Sequence, residues 1–427
     1  MINTVFCKDF VESDKAKIER RKHAEMEEHM PQYDLLLQNG HVIDPQNNID
    51  KVNDIAIANG KIAYITENIP AAEAEKVVDV GGLYVTPGLV DIHVHAYAGT
   101  GARNAYCGDR SVYPDGFNFR TGVTTVLDVG SSGWRNFPDF KDRVIDRAKT
   151  RVLALLNIVG HGMGGGAIEQ NTADMDAKTT AEVAEQYPDI VVGIKTAHYS
   201  GPEWIAVDRA VEAGKLTNLP VMIDFGAFRP ERPYQELVLE HLRPGDISTH
   251  MYLSRVPLFD ENGKLLPYLA EARNRGIKFD VGHGAGSFAW SQAIPAIQQG
   301  WIPDSISTDL HVGSMNAGMK DMVTTMSKIL NQGISLFDVV KMSTIAPAMM
   351  VNRAEFGHLS VGAKADVAVL KLNKGEFGFL DVRNARFVGT QKLECELTLL
   401  DGKVEWDLNG RAGVDWQQFY DVPRVAS

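Results

Sequence analysis

Cysteine is scarce in this chain: three in 427 residues, at Cys7, Cys107 and Cys395, far apart and odd in number. That excludes a disulfide framework and a CxxC metal knuckle, and it fits a reducing compartment. No stretch reaches the roughly 18 apolar residues that a membrane helix requires, and the first thirty positions lack the apolar run of a signal peptide. No membrane association is expected. A cytoplasmic protein is expected, secreted or periplasmic only if a leader once preceded "MINTVFCKDF" and was removed. Positive charge is in deficit as well, with 43 Lys and Arg against 55 Asp and Glu, a formal net charge of −12. Phosphate backbones call for clustered cations, so no nucleic-acid partner is expected. Internal repeats and low-complexity tracts are absent too.

What is present is ordinary globular composition, 44% hydrophobic and 23% charged, enough for a large core and a smaller second domain. Residues 1–32 include "SDKAKIERRKHAEMEEHM", charges of both signs at helical spacing, which predicts a solvated helix without a chemical role. Residues 33–86 break into short β-type runs, "YDLLLQNGHVIDP" and "NDIAIANGKIAYI", with Asn-Gly turn signals at 39–40 and 59–60. The same texture returns in 352–427, with an Asp-Gly turn in "LLDGKVEW". The two ends together predict a small β-sandwich domain.

Between them, over 87–351, strand-length apolar runs alternate with helix-like stretches. Strands are expected at Leu89 to His95, Thr124 to Val129, Val152 to Val159, Ile190 to Thr196, Val221 to Phe225, Asp246 to Met251, Lys278 to Val281 and Ser305 to Asp309. Eight strands with intervening helices over this length fit an α/β (β/α)8 TIM barrel, typically about 250 residues, better than an open doubly wound sheet. A barrel enzyme places its chemistry at the C-terminal strand ends, and here those ends are polar: His93 and His95, Lys195, Asp224, His250, His283, then Asp309 and His311. Gathering that much charge at one mouth without a cation would cost several kcal/mol per ion, so a metal is the simplest reading. In a strand, residues i and i+2 share a face, so His93 and His95 can address one ion, and imidazole suits zinc and related divalent metals.

"PGLVDIHVH", "GVTTVLDVG", the lysine of "VVGIKTAH", the histidine of "ISTHMY" and "SISTDLH" together resemble the amidohydrolase superfamily over nearly the whole chain. "DVGHGAGSF" and "STDLHVGSMN" resemble its deacetylase-type, dihydroorotase-like branch. The resemblance implies one or two divalent metals, Zn2+ with Mn2+ as an alternative. It implies that His93, His95 and Asp309 hold one ion and His250 a second, with Lys195 bridging them as a carbamate. It also implies a metal-activated water that attacks a carbonyl, with Asp309 carrying the proton to the leaving group. Where the family places a fifth-strand histidine this chain has Asp224, whose carboxylate either replaces the imidazole or leaves the second site short of ligands.

The expected substrate is a small molecule with an amide or ester bond, opened by deacylation or cyclic-amide hydrolysis; deaminase or lactonase chemistry on the same scaffold is the alternative. His161, His198, Tyr199, Arg229, His283 and His311, with Arg232, are the candidate substrate residues above the ligands. A homo-oligomer is expected. Two rivals come from other classes. A metal-stabilised binding protein without activity is one. The other is a nucleotide site at "GHGMGGGA", which nearly fits GxGxxG but precedes "IEQNTADMDAKTT", a loop-like stretch where a helix would be needed.

Overall fold

A computed structural model describes residues 31–99 and 102–420, so the charged helix expected at 1–32 lies, over residues 1–30, outside the described residues. β1 (Leu35–Asp44), β2 (Ile49–Ala58) and β3 (Lys61–Thr66) form an antiparallel meander, and β4 (Val77–Asp79) and β5 (Tyr84–Pro87) run parallel to β1. Asn59 and Gly60, at φ 53° and 72°, make the turn between β2 and β3, because a two-residue turn of this hand needs both residues left-handed. The other Asn-Gly pair makes no turn: Asn39 and Gly40 lie inside β1 at a register shift against β2. There a Cβ on residue 40 would stand 2.4 Å from Val85 Cγ2.

Seven parallel strands follow: β6 (Leu89–Val94), β7 (Val123–Gly133), β8 (Arg151–Asn157), β9 (Val191–Thr196), β10 (Val221–Ile223), β11 (Ile247–Ser248) and β12 (Lys278–Phe279). They are hydrogen-bonded in sequence order. β6, β7 and β9 are buried along their whole length, covered on both faces, which is why they read as near-continuous apolar runs. The eighth strand expected at Ser305 to Asp309 is not a regular strand, yet its backbone closes the ring. Val281 and His283 donate to Ser305 O and Ser307 O, Leu310 donates to His93 O, and His95 donates to Leu310 O. The result is a TIM-barrel-type fold.

β13 (Val367–Leu380) then pairs with β5, and β14 (Arg386–Leu400) and β15 (Lys403–Asp407) extend the sheet from β13, so segments from both sides of the barrel region share one eight-stranded sheet with an apolar cluster that includes Val42, Ile55, Val85, Val367 and Leu397. The Asp401-Gly402 pair makes the turn between β14 and β15. The glycine-rich segment after β8 opens no helix: 160–169 is turn and loop, followed by a single short turn at Thr172–Asp174, so the nucleotide-binding pattern is not met. Among the described residues no helix is long and apolar enough to cross a membrane.

Two local irregularities position the site. Strict alternation along β6 would put His93 opposite Ile92 and away from the barrel interior. Between the pairs Asp91–Val126 and Val94–Asp128, however, β6 contains one residue more than β7. Val90 and Ile92 join a cluster built mostly of strand residues (Leu127, Leu153, Val192, Met222), whereas Leu89 and Val94 join the cluster shared with the helices. The extra residue resets the alternation, and His93 and His95 follow Ile92 to the inner side. β9 repeats the device, with an extra residue against β8 between the pairs Ala154–Val191 and Leu155–Gly193. Val192 lies in the strand cluster and Ile194 in the helix-side cluster, which leaves Lys195 facing inward.

Candidate metal centre

At the closed end of a cavity of about 230 Å³, His93, His95, Asp224, His250 and Asp309 come together. His93, His250 and Asp309 each offer a ligand atom within 4.8 Å of the others. Asp309 Oδ1 lies 3.1 Å from His95 Nε2 and 3.7 Å from His93 Nε2, and Asp224 Oδ2 lies 3.6 Å from His250 Nε2. His198, His250 and Asp309 have φ of 58°, 61° and 50°, a left-handed conformation that costs side-chain-bearing residues on the order of 1–3 kcal/mol. Such strain is held only where the surroundings over-determine it.

The hydrogen bonds on the far side of each ring decide what the near side presents. His250 Nδ1 is 2.6 Å from Gly282 O, and a carbonyl can only accept, so Nδ1 carries a proton; burial works against a charge on this ring, but Asp224 beside it raises its pKa, and in the neutral ring that metal binding selects Nε2 presents a lone pair. Thr249 Oγ1 donates its single proton to Asp280 Oδ2 at 2.7 Å, so at 2.9 Å from His93 Nδ1 it can only accept, and His93 Nε2 also presents a lone pair. Asp280 in turn accepts from Ser305 and Ser307. His95 Nδ1 is held by Ser131 Oγ at 2.9 Å. Two Nε2 atoms thus face carboxylate oxygens at 3.7 and 3.6 Å, too long for hydrogen bonds, and with both rings neutral a cation between nitrogen and oxygen satisfies each pair. The donor set fits a divalent metal, and the far-side partners are the oriented second layer that such sites use.

Lys195 Nζ and Asp309 Oδ1 are both buried without a hydrogen-bond partner. Burial lowers the pKa of Lys195 against the opposing pull of Asp224 and Asp309, and burial also lowers that of His93, with Lys195 adding to it. Burial alone would raise Asp224, but His250, His198 and Lys195 outweigh it and hold the carboxyl well below the ordinary range. The chain bends around Lys195 at Gly130, φ 79°, where a Cβ would stand 2.7 Å from Lys195 Cγ.

Of the expected substrate residues, His198 and His311 line the cavity. His311 Nδ1 accepts from the backbone N–H of Gly313 (3.0 Å) and Ser314 (3.3 Å), so its ring proton is on Nε2, and burial brings its pKa down to about 4. The others are placed elsewhere. His283 is fully buried, stacked on Phe288, with Nδ1 at 2.9 Å from Gly284 O and Nε2 at 2.6 Å from Lys328 Nζ. Tyr199 donates to Glu203, Arg229 binds the carbonyl of Ser200 and Arg232 those of Tyr199 and Ala227, and His161 is exposed. These five positions carry polar side chains near strand ends, but their loops turn them into packing or solvent. The cavity is completed by residues that the sequence did not single out, Tyr106, Met163, Leu253, Arg255 and Ser287. Thr249, Ser131 and Asp280 had one legible signal: each is a hydrogen-bonding residue at or beside a polar strand end.

Thr249→Val keeps the shape and removes the acceptor for His93 Nδ1. Metal affinity is expected to fall ~10–100-fold, read by titration with a chelating indicator; wild-type affinity in this variant would show that His93 needs no such orientation.

Comparisons with known proteins bear on this geometry. The model of the amidohydrolase family matches residues 289–404. A deacetylase of Brucella anthropi is 33% identical over 332 residues, 76% of this chain and 80% of that one. Among solved structures, an adenine deaminase superimposes with a TM-score of 0.79 at 27% identity, over 88% of this chain and 100% of that one, and a dihydroorotase with 0.74 at 28%, over 87% and 98%.

Proposed function

The chain belongs to the amidohydrolase family, and from that premise we propose that it is a metal-dependent hydrolase that splits an amide or ester bond of a small molecule, deacylation foremost. The observation that carries the reading is the pair of imidazole Nε2 atoms, on His93 and His250, that face Asp309 and Asp224 at distances too long for hydrogen bonds, beside an unpartnered Lys195. We assign His93, His95 and Asp309 to one ion, His250 and Asp224 to a second, and Lys195 to both. Zinc suits the imidazoles, and the extra carboxylate makes manganese the alternative. In the same reading 87–351 is the catalytic barrel, and 33–86 with 352–427 is a sandwich-type domain beside it.

A bound divalent ion supplies Lewis acidity, acidifying a water and polarising a carbonyl. Asp309 Oδ1, which has no hydrogen-bond partner, takes the proton of the attacking water and returns it to the leaving nitrogen or oxygen. His311, neutral at physiological pH, offers its Nε2–H to an oxygen of the substrate. Lys195 would become a ligand by attacking CO2: the N–C bond forms as one C–O π bond opens, the amine loses a proton to solvent, and the carbamate carries one negative charge shared by two oxygens. That reaction needs the neutral amine, which burial favours.

A panel of N-acyl amino acids, O-acetyl hydroxy acids, hydantoin-like rings and lactones tests the proposal. Turnover of acylated substrates that a chelator stops and added Zn2+ restores is expected; no chelator-sensitive turnover anywhere in the panel would refute it. Deamination is the second reading, favoured by the likeness to an adenine deaminase, and purines added to the same panel separate it. Asp224 has its own test in metal stoichiometry. Two ions per chain in wild type, one in Asp224→Ala and two again in Asp224→His are expected, while equal content in wild type and Asp224→Ala would reject its ligation.

A further inference from the structure

Asp224 Oδ2, the oxygen that faces His250, is also met by His198. His198 Nε2 lies 3.3 Å from Asp224 Oδ2, while His198 Nδ1 lies 2.6 Å from Glu169 Oε2. Glu169 comes from the glycine-rich segment after β8, and its carboxylate is almost wholly buried. Its second oxygen, Oε1, accepts the backbone N–H of Gly165 at 2.7 Å, so one carboxylate closes the glycine segment on itself and fastens it to His198. The neighbouring Gln170 grips the backbone of the same stretch. Its Nε2 donates to His198 O at 2.9 Å, and its Oε1 accepts from Ser200 N and Ser200 Oγ, both at 2.8 Å. These bonds hold His198 in its left-handed conformation, the one from which its ring meets Asp224.

We propose that Glu169 is a positioning residue that, through His198, sets the carboxylate of Asp224 for the ion beside His250, so that the glycine-rich segment and the metal centre are mechanically joined. The inference rests on the reading of Asp224 as a ligand. Its physical basis is the carboxylate–imidazole pair: a buried carboxylate fixes the orientation of the ring it binds, and the ring fixes the group beyond it. Asp224 Oδ1 is bound by one backbone N–H, that of Gly226 at 3.1 Å, so removing His198 leaves Oδ2 without its neighbour on that side. A movement of the glycine segment would in turn loosen Asp224, because Glu169 belongs to both.

The experiment uses the full chain with Zn2+ or Co2+ as the metal. Ion content is measured by plasma emission after dialysis, and the Co2+ form is followed by its visible absorption. In Glu169→Gln the ion beside Asp224 is expected to bind ~10–100-fold more weakly, with the first ion retained and the Co2+ spectrum altered; Glu169→Asp should restore part of both. Should Glu169→Gln fail to fold, His198→Gln carries the same expectation, since it leaves the Glu169–Gly165 bond in place. Two ions in wild type, with unchanged content and Co2+ spectrum in these variants, would overturn the inference. A wild type that holds a single ion would instead refute Asp224 as a ligand, the reading beneath it.

Discussion

Lys195→Ala is expected to lose hydrolytic activity by on the order of 10³-fold or more and most of its bound metal, with partial recovery of both in the presence of short carboxylic acids. Lys195 is fully buried, its Nζ has no hydrogen-bond partner, and Asp128, Asp224, Asp280 and Asp309 surround it. An ammonium in that place would be expected to pair with one of them. An amine carboxylated by CO2 would instead face the ions with two oxygens that share one negative charge, and a small acid can occupy the space that alanine leaves. Folding gives the control, because removing an unpartnered buried amine takes away a desolvation cost and should not lower the melting temperature of the metal-stripped chain. A variant that keeps its metal, or that carboxylic acids leave unchanged, would refute the bridging role.

Comparable losses are expected at the first ion. His93→Asn and His95→Asn should each reduce kcat/KM by about 10³-fold or more and lower the bound metal, with the far-ultraviolet circular dichroism of the barrel unchanged. In the proposed site both histidines would present Nε2 to the ion, and each has its far nitrogen held, by Thr249 and Ser131 respectively. Asparagine is shorter and can place its amide group where Nδ1 was, at His93 with the NH2 toward Thr249, so it keeps a polar group in a buried place without reaching the ion. Metal content equal to wild type in both variants would show that the cluster is only a hydrogen-bonded core.

Much of this protein was readable in one dimension. Strands buried on both faces, by the barrel interior on one and by helices on the other, have no polar side, so β6, β7 and β9 announce themselves as apolar runs and the polar residues at their ends stand out. Hence His93, His95, Lys195, Asp224, His250 and Asp309 could be named from the sequence, and the structure brings all six together. The Asn-Gly pairs were ambiguous. Residues 59–60 turn and 39–40 do not, because a left-handed asparagine serves a bulge as well as a hairpin and only the partner strand decides.

The loop residues were the least legible. His161, Tyr199, Arg229 and His283 have the composition of substrate contacts, but whether a loop histidine meets a cavity or a buried lysine depends on segments far away in sequence. His283 meets Lys328, 45 residues on, and Glu169 meets His198, 29 residues on. The sequence by itself determined the element types, the parallel order of the strands and the chemical identity of the polar strand ends, because these follow from local periodicity and burial. Only the tertiary structure decided which way those ends point. One extra residue in β6 and one in β9, each defined solely by pairing with a neighbouring strand, turn His93, His95 and Lys195 toward a common centre, and no local pattern records a register that two strands set together.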